Sequence, residues 1–493
     1  MIGWAALLYL AATLAIGFWA KRRTRGAADF FVAGRALGLG VVVLATMSTA
    51  FSGFAFIGGP GLVYRMGVSS LTICLSVGFT AALLVWTAGG RLARLAAARE
   101  TLTLADALAA RFASPLPGAA AAVATVVGSI GYLGAQALAL GLAIQGAFGL
   151  EARLGDASLP VATAIGVAIL VVYTVAGGMV ASAWTDVLQG GIMLVCGVGV
   201  CAVALGATGG LSGMLDSIAT SDAFGPRFLE PLGDRPTVGL GFYLLFGLGV
   251  LGQPHLLQKF LMLRDPERLR AMPLLLAGSQ TLCLLLWAGI GLAVPALVAT
   301  GRLAPLVAPD AATPTFLAEV APAPLAALVL AGVLAAIMST ADSIASVVAA
   351  ALARDLPRAL GRPVRDELSA GRWAIAATLV VAAAVALAYG DLVALLGTLS
   401  YGALAASLTP VFALGLAWPR ATARAATASI VVGLGVHLAL EAVARLAHPP
   451  FLAPPASAAL LGLLAGLVTL VAVSFADRGE PAALPTEIAE ALD

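Results

Sequence analysis

The sequence is poor in charge. Charged side chains make up only 11% of its 493 residues, 61% are hydrophobic, and the mean hydropathy is +1.02. Soluble globular proteins carry about 25% charged and about 45–50% apolar residues. So few charges cannot cover a surface that faces water, and the composition predicts a polytopic membrane protein in contact with a lipid bilayer. The formal net charge of +2 offers no basic face for nucleic acid.

Cysteine and histidine are scarce as well. The four cysteines all lie inside apolar runs without the spacing of a metal site, and the three histidines are dispersed. Such cysteines are typical packing residues rather than disulfide partners. With no nucleophile elbow and no cluster of His, Asp and Glu, the sequence provides no candidate residues for catalysis, so we expect that the protein is not an enzyme.

Long apolar runs dominate what is present. A bilayer core of about 30 Å needs about 20 apolar helical residues, and backbone groups in lipid must be paired within the segment. The sequence therefore predicts an all-α protein with thirteen transmembrane helices, near residues 3–20, 36–64, 68–90, 117–148, 159–177, 182–207, 237–260, 271–299, 320–352, 373–389, 392–418, 423–443 and 453–476.

Basic residues predict the orientation. With the N-terminus outside and the C-terminus in the cytoplasm, 21 of the 27 Lys and Arg residues fall on inner loops. This asymmetry follows the positive-inside rule. We expect a multi-pass protein of the cell membrane, of the type found in bacterial inner membranes. The short acidic tail after Ala476 predicts a disordered segment.

Two spans contain clusters of glycine and proline. The second span has Ser52-Gly53 and then residues 58–61 (GGPG), and the seventh has Gly252-Gln253-Pro254-His255. Proline removes a backbone donor and glycine loosens the helix, so both spans should be kinked or unwound within the membrane. Either break alone is equally compatible with a simple bend in the bundle.

The position of the two breaks favours a transporter. Spans two to six and seven to eleven form two blocks of five with opposite topology, and each block begins with an interrupted helix. Inverted repeats led by broken helices recur in secondary transporters. The predicted organisation is an extra N-terminal helix and basic loop (1–35), a first five-helix repeat (36–210), a second (236–419), two C-terminal helices (420–476) and a cytoplasmic tail (477–493).

A hydroxyl cluster lies on the ninth span. Ala336, Ser339, Thr340 and Ser343 occupy positions i, i+3, i+4 and i+7, one face of a helix. Two hydroxyls and a freed carbonyl are neutral oxygen ligands for a hard monovalent cation. The backbone oxygens of Ser48 and Phe51 on the second span could complete the shell. The alternative is that the hydroxyls bond only their own i−4 carbonyls.

Two carboxylates lie within the apolar spans. Asp342 is placed inside the ninth, where a charge costs about 2.5–3.5 kcal/mol on insertion scales and marks a functional site by default. Asp186 follows Ser182-Ala183-Trp184-Thr185 at the start of the sixth, where an acidic residue also stabilises a helix N-terminus. Two carboxylates in one site require a cation or a proton.

At these residues the sequence resembles the sodium:solute symporter family, which includes carriers of proline, pantothenate, sialic acid and sodium/glucose. Four ordered segments carry the resemblance: Phe56 to Tyr64, Ala183 to Gln189, Gly252 to His255 with Lys259-Phe260, and Ala335 to Thr340. The resemblance implies the LeuT-type five-plus-five inverted repeat and sodium-driven import of a small organic solute by alternating access.

The resemblance also implies ligand positions. The family's shared sodium site falls here on the backbone of Ser48, Phe51 and Ala336 and the side chains of Ser339 and Thr340. A second sodium, held by some members, would fall on Asp186, Ser339, Asp342 and Ser343. Proline permeases have an aspartate where this chain has Ala50.

Candidate substrate contacts follow from the broken helices and their neighbours: Ser52, Gly53, Gln136, Phe246, Val250 and Gln253. Val250 replaces a tyrosine that faces the substrate in proline permeases, which argues against proline. An amino acid or a monocarboxylic acid of the pantothenate type is preferred to a sugar. Gln136 has an equally good interpretation as an interhelical hydrogen bond. Lys259 and Arg65 are interpreted as anchors at the membrane interface.

Two other functions remain as alternatives. The chain could be a transporter-like sensor, although the tail has no room for a signalling domain, or a proton-coupled carrier of the same fold. Channels usually show repeated pore helices or rings of charge, and none is visible. No segment points to an obligatory protein partner.

Overall fold

The structure is a computed structural model that describes residues 2–233, 236–389, 393–448, 456–477 and 484–492. In these ranges it is helical, and the single extended pairing is an isolated bridge between Leu37 and Leu263. The predicted all-α architecture is confirmed.

The first half of the chain contributes eleven α-helices, joined by short 3₁₀ and π turns. They are α1 Ile2–Lys21, α2 Ala27–Val32, α3 Leu39–Ala50, α4 Gly59–Met66, α5 Thr72–Leu83, α6 Gly90–Ala98, α7 Leu104–Phe112, α8 Pro115–Phe148, α9 Glu151–Leu154, α10 Ser158–Thr208 and α11 Gly210–Ala219.

The second half contributes another eleven within the described ranges. They are α12 Pro236–Gly249, α13 Pro254–Leu257, α14 Met272–Ala299, α15 Ala312–Glu319, α16 Ala323–Ala350, α17 Leu356–Ala359, α18 Glu367–Tyr389, α19 Val393–Pro410, α20 Ala423–Ala447, α21 Ser457–Ala476 and α22 Thr486–Leu492.

The number of membrane spans differs from the prediction. In the described ranges, ten helices are long and apolar enough to cross a bilayer, or eleven if α12 and α13 form one bent span. The count of thirteen is therefore not confirmed. The difference arises where continuous helical runs contain two predicted spans: residues 151–208 form 58 residues of helix, about 87 Å at 1.5 Å per residue, against a bilayer core of about 30 Å.

The predicted interruptions are present, with one shift in position. α3 ends at Ala50, and Phe51 is extended with φ −101° and ψ 116°. The chain resumes as a π turn at Phe54 and continues into α4. The break therefore falls at residues 51–53, whereas the glycines at 58–61 are helical because Pro60 lies in the first turn of α4, where a missing N–H costs nothing.

The second interruption lies where the sequence places it. Gln253 is extended with φ −88° and ψ 104°, between a 3₁₀ turn and α13. The two halves of the span are bent by 51°. Pro254 at the start of α13 has no N–H to continue the ladder, so the break is built into the sequence.

α16 is the central helix of the bundle. It packs against α1, α8, α10 and α18, and its residues from Val333 to Ala350 are buried without exception. Alanine and serine dominate this stretch, and small side chains let neighbouring helices approach closely. Large apolar side chains such as Trp4, Trp86 and Leu274 cover the outside instead, as a lipid-facing surface requires.

The end of the chain differs from the prediction. Residues 486–492 form α22, and its Ile488 and Leu492 are buried. The guanidinium of Arg94 in α6 donates to the carbonyl of Ala491 at 3.0 Å, which satisfies an orphan carbonyl at the helix end. The expectation of disorder is therefore wrong for this segment, while residues 478–483 lie outside the described part.

Gly178 allows α10 to turn back on itself. Its φ of 53° lies in the left-handed region, and a Cβ there would lie 2.5 Å from the Phe30 ring. Only glycine meets both demands, since other L-residues pay about 1–2 kcal/mol in that region even without an overlap.

We predict that Gly178→Val destabilises the protein by several kcal/mol, the sum of backbone strain of about 1–3 kcal/mol and displacement of Phe30. Thermal unfolding of the detergent-solubilised protein, followed by fluorescence-detected size exclusion, measures the change. Gly191→Val in the same helix is the matched control, because a Cβ at Gly191 meets nothing within 4 Å. Equal melting temperatures for the two variants would contradict the role given to Gly178.

Candidate ion and substrate sites

Five oxygens converge where α3 ends against α16. The hydroxyl of Ser339 lies 3.0 Å from the carbonyl oxygen of Ser48 and 3.2 Å from that of Ala336. The hydroxyl of Thr340 lies 3.2 Å from the carbonyl of Phe51 and 3.1 Å from that of Ala336. The structure thus brings together all five residues predicted for the shared sodium site.

The broken helix explains why these carbonyls are available. The last four carbonyls of a helix have no intrahelical partner, and α3 ends inside the bundle rather than at a water-facing surface. Ser48, Ser339 and Thr340 are fully buried. The Ser339 and Thr340 hydroxyls of α16 therefore contact carbonyls at the end of α3. Hydrogen bonding to the i−4 carbonyl of their own helix does not account for all their contacts.

A second polar cluster lies beside the first. It contains Asp186, Asp342 and Ser343, as predicted for a second ion site, and all three side chains are fully buried. Asp342 accepts hydrogen bonds from Tyr173 at 2.8 Å and from Ser182 at 3.0 Å. The hydroxyl of Ser339 makes its contacts to the first site instead.

Lys259 occupies the middle of the second cluster. Its Nζ lies 2.7 Å from Oδ2 of Asp186, 2.9 Å from the hydroxyl of Ser343 and 3.3 Å from that of Ser182. The side chain is 1% exposed. The interpretation of Lys259 as an interface anchor is therefore wrong, because the break at Gln253 carries the following 3₁₀ segment, Gln258–Met262, into the bundle.

The predicted substrate contacts line the two breaks. Oε1 of Gln136 accepts the backbone N–H of Gly53 at 3.3 Å, and the hydroxyl of Ser52 accepts that of Phe54 at 3.2 Å. Nε2 of Gln253 donates to the carbonyls of Gly249 and Tyr401 at 3.1 and 3.2 Å. Its buried Oε1 has no partner within the described ranges.

Aromatic rings close the space between the breaks. Phe246 stacks on Phe54 with ring centroids 5.8 Å apart, and on Tyr401 at 4.7 Å. Trp287 meets the edge of Phe54 at 5.8 Å. Val250 is partly buried against the same core. The rings of Phe54, Phe246, Tyr401 and Trp287 thus form one continuous aromatic stack beside the breaks.

A cavity of about 500 Å³ lies beyond this stack. Gly53 and Phe54 form its floor, and the C-terminal part of α8, α15 and the N-terminal part of α16 form its walls. The lining is apolar apart from Thr313 and Asp310. Burial raises the pKa of the Asp310 carboxyl above its usual range, while the Arg65 guanidinium acts in the opposite direction.

Comparison with known proteins identifies the family. A family model described as the sodium:solute symporter family matches residues 30–433. The chain belongs to this family. It is 28% identical to the sodium/pantothenate symporter of Escherichia coli over 93% of this chain and 94% of that protein. It is 30% identical to the osmoregulated proline transporter OpuE of Bacillus subtilis, over 53% of this chain and 52% of that one.

Solved structures confirm the predicted fold. The chain matches a Na⁺-coupled sialic acid symporter with a TM-score of 0.78 at 18% identity, covering 98% of this chain and 99% of that one. It matches the nucleobase-cation-symport-1 transporter Mhp1 with a TM-score of 0.56 at 18% identity, covering 94% and 97%. The fold of this multi-pass membrane symporter is LeuT-type, and its family function is sodium-coupled solute symport.

Several residues of the two sites were absent from the predictions. Tyr173, Ser182 and Thr49 each reach a buried carboxylate or hydroxyl of the second cluster. Tyr401 and Trp287 belong to the aromatic stack. Lys259 offered a signal in the sequence, since a lone lysine five residues after a helix-breaking proline is unusual inside an apolar run. The tyrosines and serines offered none, because they occur throughout the spans.

We predict that Gly53→Leu abolishes solute binding. A Cβ at this position would lie 2.9 Å from Cγ1 of Ile337 and 3.2 Å from Cβ of Ala139, so a leucine fills the break and the floor of the cavity. Solute-dependent quenching of tryptophan fluorescence or scintillation proximity binding measures the loss. Gly78→Leu on the open face of α5 is the control. Unchanged affinity in well-folded Gly53→Leu would show that this segment does not contact solute.

Proposed function

We propose that the protein imports a small organic acid or amino acid together with sodium, which binds between α3 and α16. The observation that carries the proposal is the convergence of the Ser48, Phe51 and Ala336 carbonyls with the Ser339 and Thr340 hydroxyls. These five oxygens form a neutral, buried set of hard ligands. Sodium would lie between these oxygens and bind their lone pairs, with the two hydroxyl hydrogens turned away from the ion.

The neutral ligand set suits a coupling ion. No carboxylate belongs to the five, so the ion is held by dipoles alone and can leave when the helices separate. Such weak, multi-ligand binding is the condition for an ion that must be released in each cycle. Sodium bound here ties the broken α3 to the central α16, and its departure loosens that joint.

Ion and solute act on one backbone segment. Phe51 supplies a carbonyl to the ion site, and two residues later Gly53 lies on the floor of the cavity. An ion that fixes the carbonyl of Phe51 also fixes the position of the Gly53 amide. Occupancy of one site therefore raises affinity at the other, and this coupling is reciprocal.

The substrate class is inferred from the cavity and the relatives. A positive half-helix end, such as the start of the helical segment at Phe54, attracts a carboxylate in transporters with broken helices. The apolar walls leave room for an aliphatic body. Pantothenate and proline, the solutes for which these relatives are named, both carry a carboxylate. The pantothenate symporter aligns over nearly the whole chain.

The direction of transport follows from the expected orientation. The cavity lies at the end of the bundle that bears the loop of residues 300–322, which the positive-inside rule places outside. Solute and sodium would enter from that side, and inner helices such as α6 and α17 would part to release them.

We predict that Ser339→Ala combined with Thr340→Ala raises the sodium concentration for half-maximal uptake by roughly tenfold or more, because a tenfold change equals about 1.4 kcal/mol of binding. Uptake of labelled solute into proteoliposomes at graded sodium measures it. Thr427→Ala combined with Thr469→Ala is the control, because these hydroxyls bond only carbonyls of their own helices. An unchanged sodium dependence would refute the ion site.

The same proteoliposomes test the substrate class. A panel of labelled amino acids and monocarboxylic acids, including pantothenate and proline, is offered with and without an inward sodium gradient. We expect accumulation of a carboxylate-bearing solute only with the gradient. Accumulation driven by a proton gradient in the absence of sodium would show that transport is coupled to protons and not to sodium.

A further inference from the structure

The buried carboxylates beside the ion site already have a cation, and the chain itself supplies it. Nζ of Lys259 lies within 3.3 Å of three oxygens, which belong to Asp186, Ser343 and Ser182. An ammonium has three N–H donors. Each donor therefore has one acceptor, and the fully buried charge is paired and hydrogen-bonded, as a charge in a membrane must be.

We propose that Lys259 is a tethered cation that fills the second ion site, so that the transporter binds a single sodium ion. This inference rests on the proposed function, because it takes the Ser339/Thr340 site as the place of that one ion. It departs from the expectation of a second sodium at Asp186, Asp342 and Ser343.

The oxygens of the cluster are committed to protein donors. Oδ1 of Asp342 accepts from the hydroxyls of Ser182 and Ser343, and Oδ2 accepts from Tyr173. Oδ2 of Asp186 accepts from Lys259 at 2.7 Å. Within the described ranges, Oδ1 of Asp186 is the one carboxylate oxygen of the cluster without a donor. One oxygen beside an ammonium is not a coordination shell for sodium.

Both carboxylates have partners within the protein. Lys259 neutralises Asp186 directly, and three hydroxyl hydrogens face Asp342. A sodium ion entering the cluster would meet an ammonium of the same charge in a water-free site, where charges repel more strongly than in water. The lysine remains with the chain throughout the cycle and draws nothing from the sodium gradient.

The position of Lys259 ties this cation to the second broken helix. It lies five residues after Pro254, in the half of the span that is bent by 51° from α12. The backbone N–H of Arg264 donates to Leu37 at 3.0 Å, and that of Leu37 donates to Met262 at 3.2 Å, which fixes the end of the segment against the start of α3. The ammonium thus joins the second broken span to α10 and α16.

Equilibrium binding of ²²Na⁺ to the purified full-length protein tests the proposal. We expect one ion per wild-type chain, and in Ser339→Ala combined with Thr340→Ala we expect no site of wild-type affinity and at most one ion bound roughly tenfold or more weakly, since Lys259 still blocks the second cluster. Lys259→Ala removes the ammonium from between the carboxylates and is expected to bind two sodium ions. Lys21→Ala, the exposed lysine at the end of α1, is the matched control and should bind one.

The possible results separate the two proposals. No saturable sodium binding by the wild type would overturn the proposed function itself. Two ions in the wild type, one ion bound with wild-type affinity by the Ser339/Thr340 double variant, or a single ion in folded Lys259→Ala would each overturn the tethered cation alone. If Lys259→Ala fails to fold, the sodium counts of the wild type and of the Ser339/Thr340 double variant still test the tethered cation. Lys259→Met combined with Asp186→Asn removes both charges and should bind one ion.

Discussion

The end of α3 inside the bundle is the constraint on which the sites depend. A helix that stops in a water-free interior leaves carbonyls that must find partners. Here the hydroxyls of Ser339 and Thr340 on α16 are those partners. Because both helices are buried, these oxygens are held at distances that a small cation can bridge, and the same break opens the floor of the cavity at Gly53.

The cost of buried charge is the second constraint. The core contains two aspartates and one lysine at adjacent positions of three different segments, in a protein with only 11% charged residues. Breaking a buried ion pair is costly because it leaves an uncompensated charge. The cluster therefore joins α10, α16 and the segment after α13.

Periodicity and breaker residues were enough to predict the helical fold and the interrupted spans, and with the family resemblance they also predicted the five residues around the candidate ion. Ser339 and Thr340 share a helix face by spacing alone, and their partners follow from the break at Phe51. Lys259 could not be placed in this way, because its burial depends on a 51° bend whose direction the sequence does not specify. The number of spans is not confirmed, because helical runs such as residues 151–208 continue through the kink at Gly178 and contain two predicted spans.

A structure determined with thallium in place of sodium, located by anomalous scattering, would show directly where the ion binds. We expect one peak, bounded by the carbonyls of Ser48, Phe51 and Ala336 and the hydroxyls of Ser339 and Thr340, with Lys259 still between Asp186 and Ser343. An empty site between α3 and α16 would refute the ion site, and a second peak in the place of the Lys259 ammonium would refute the tethered cation.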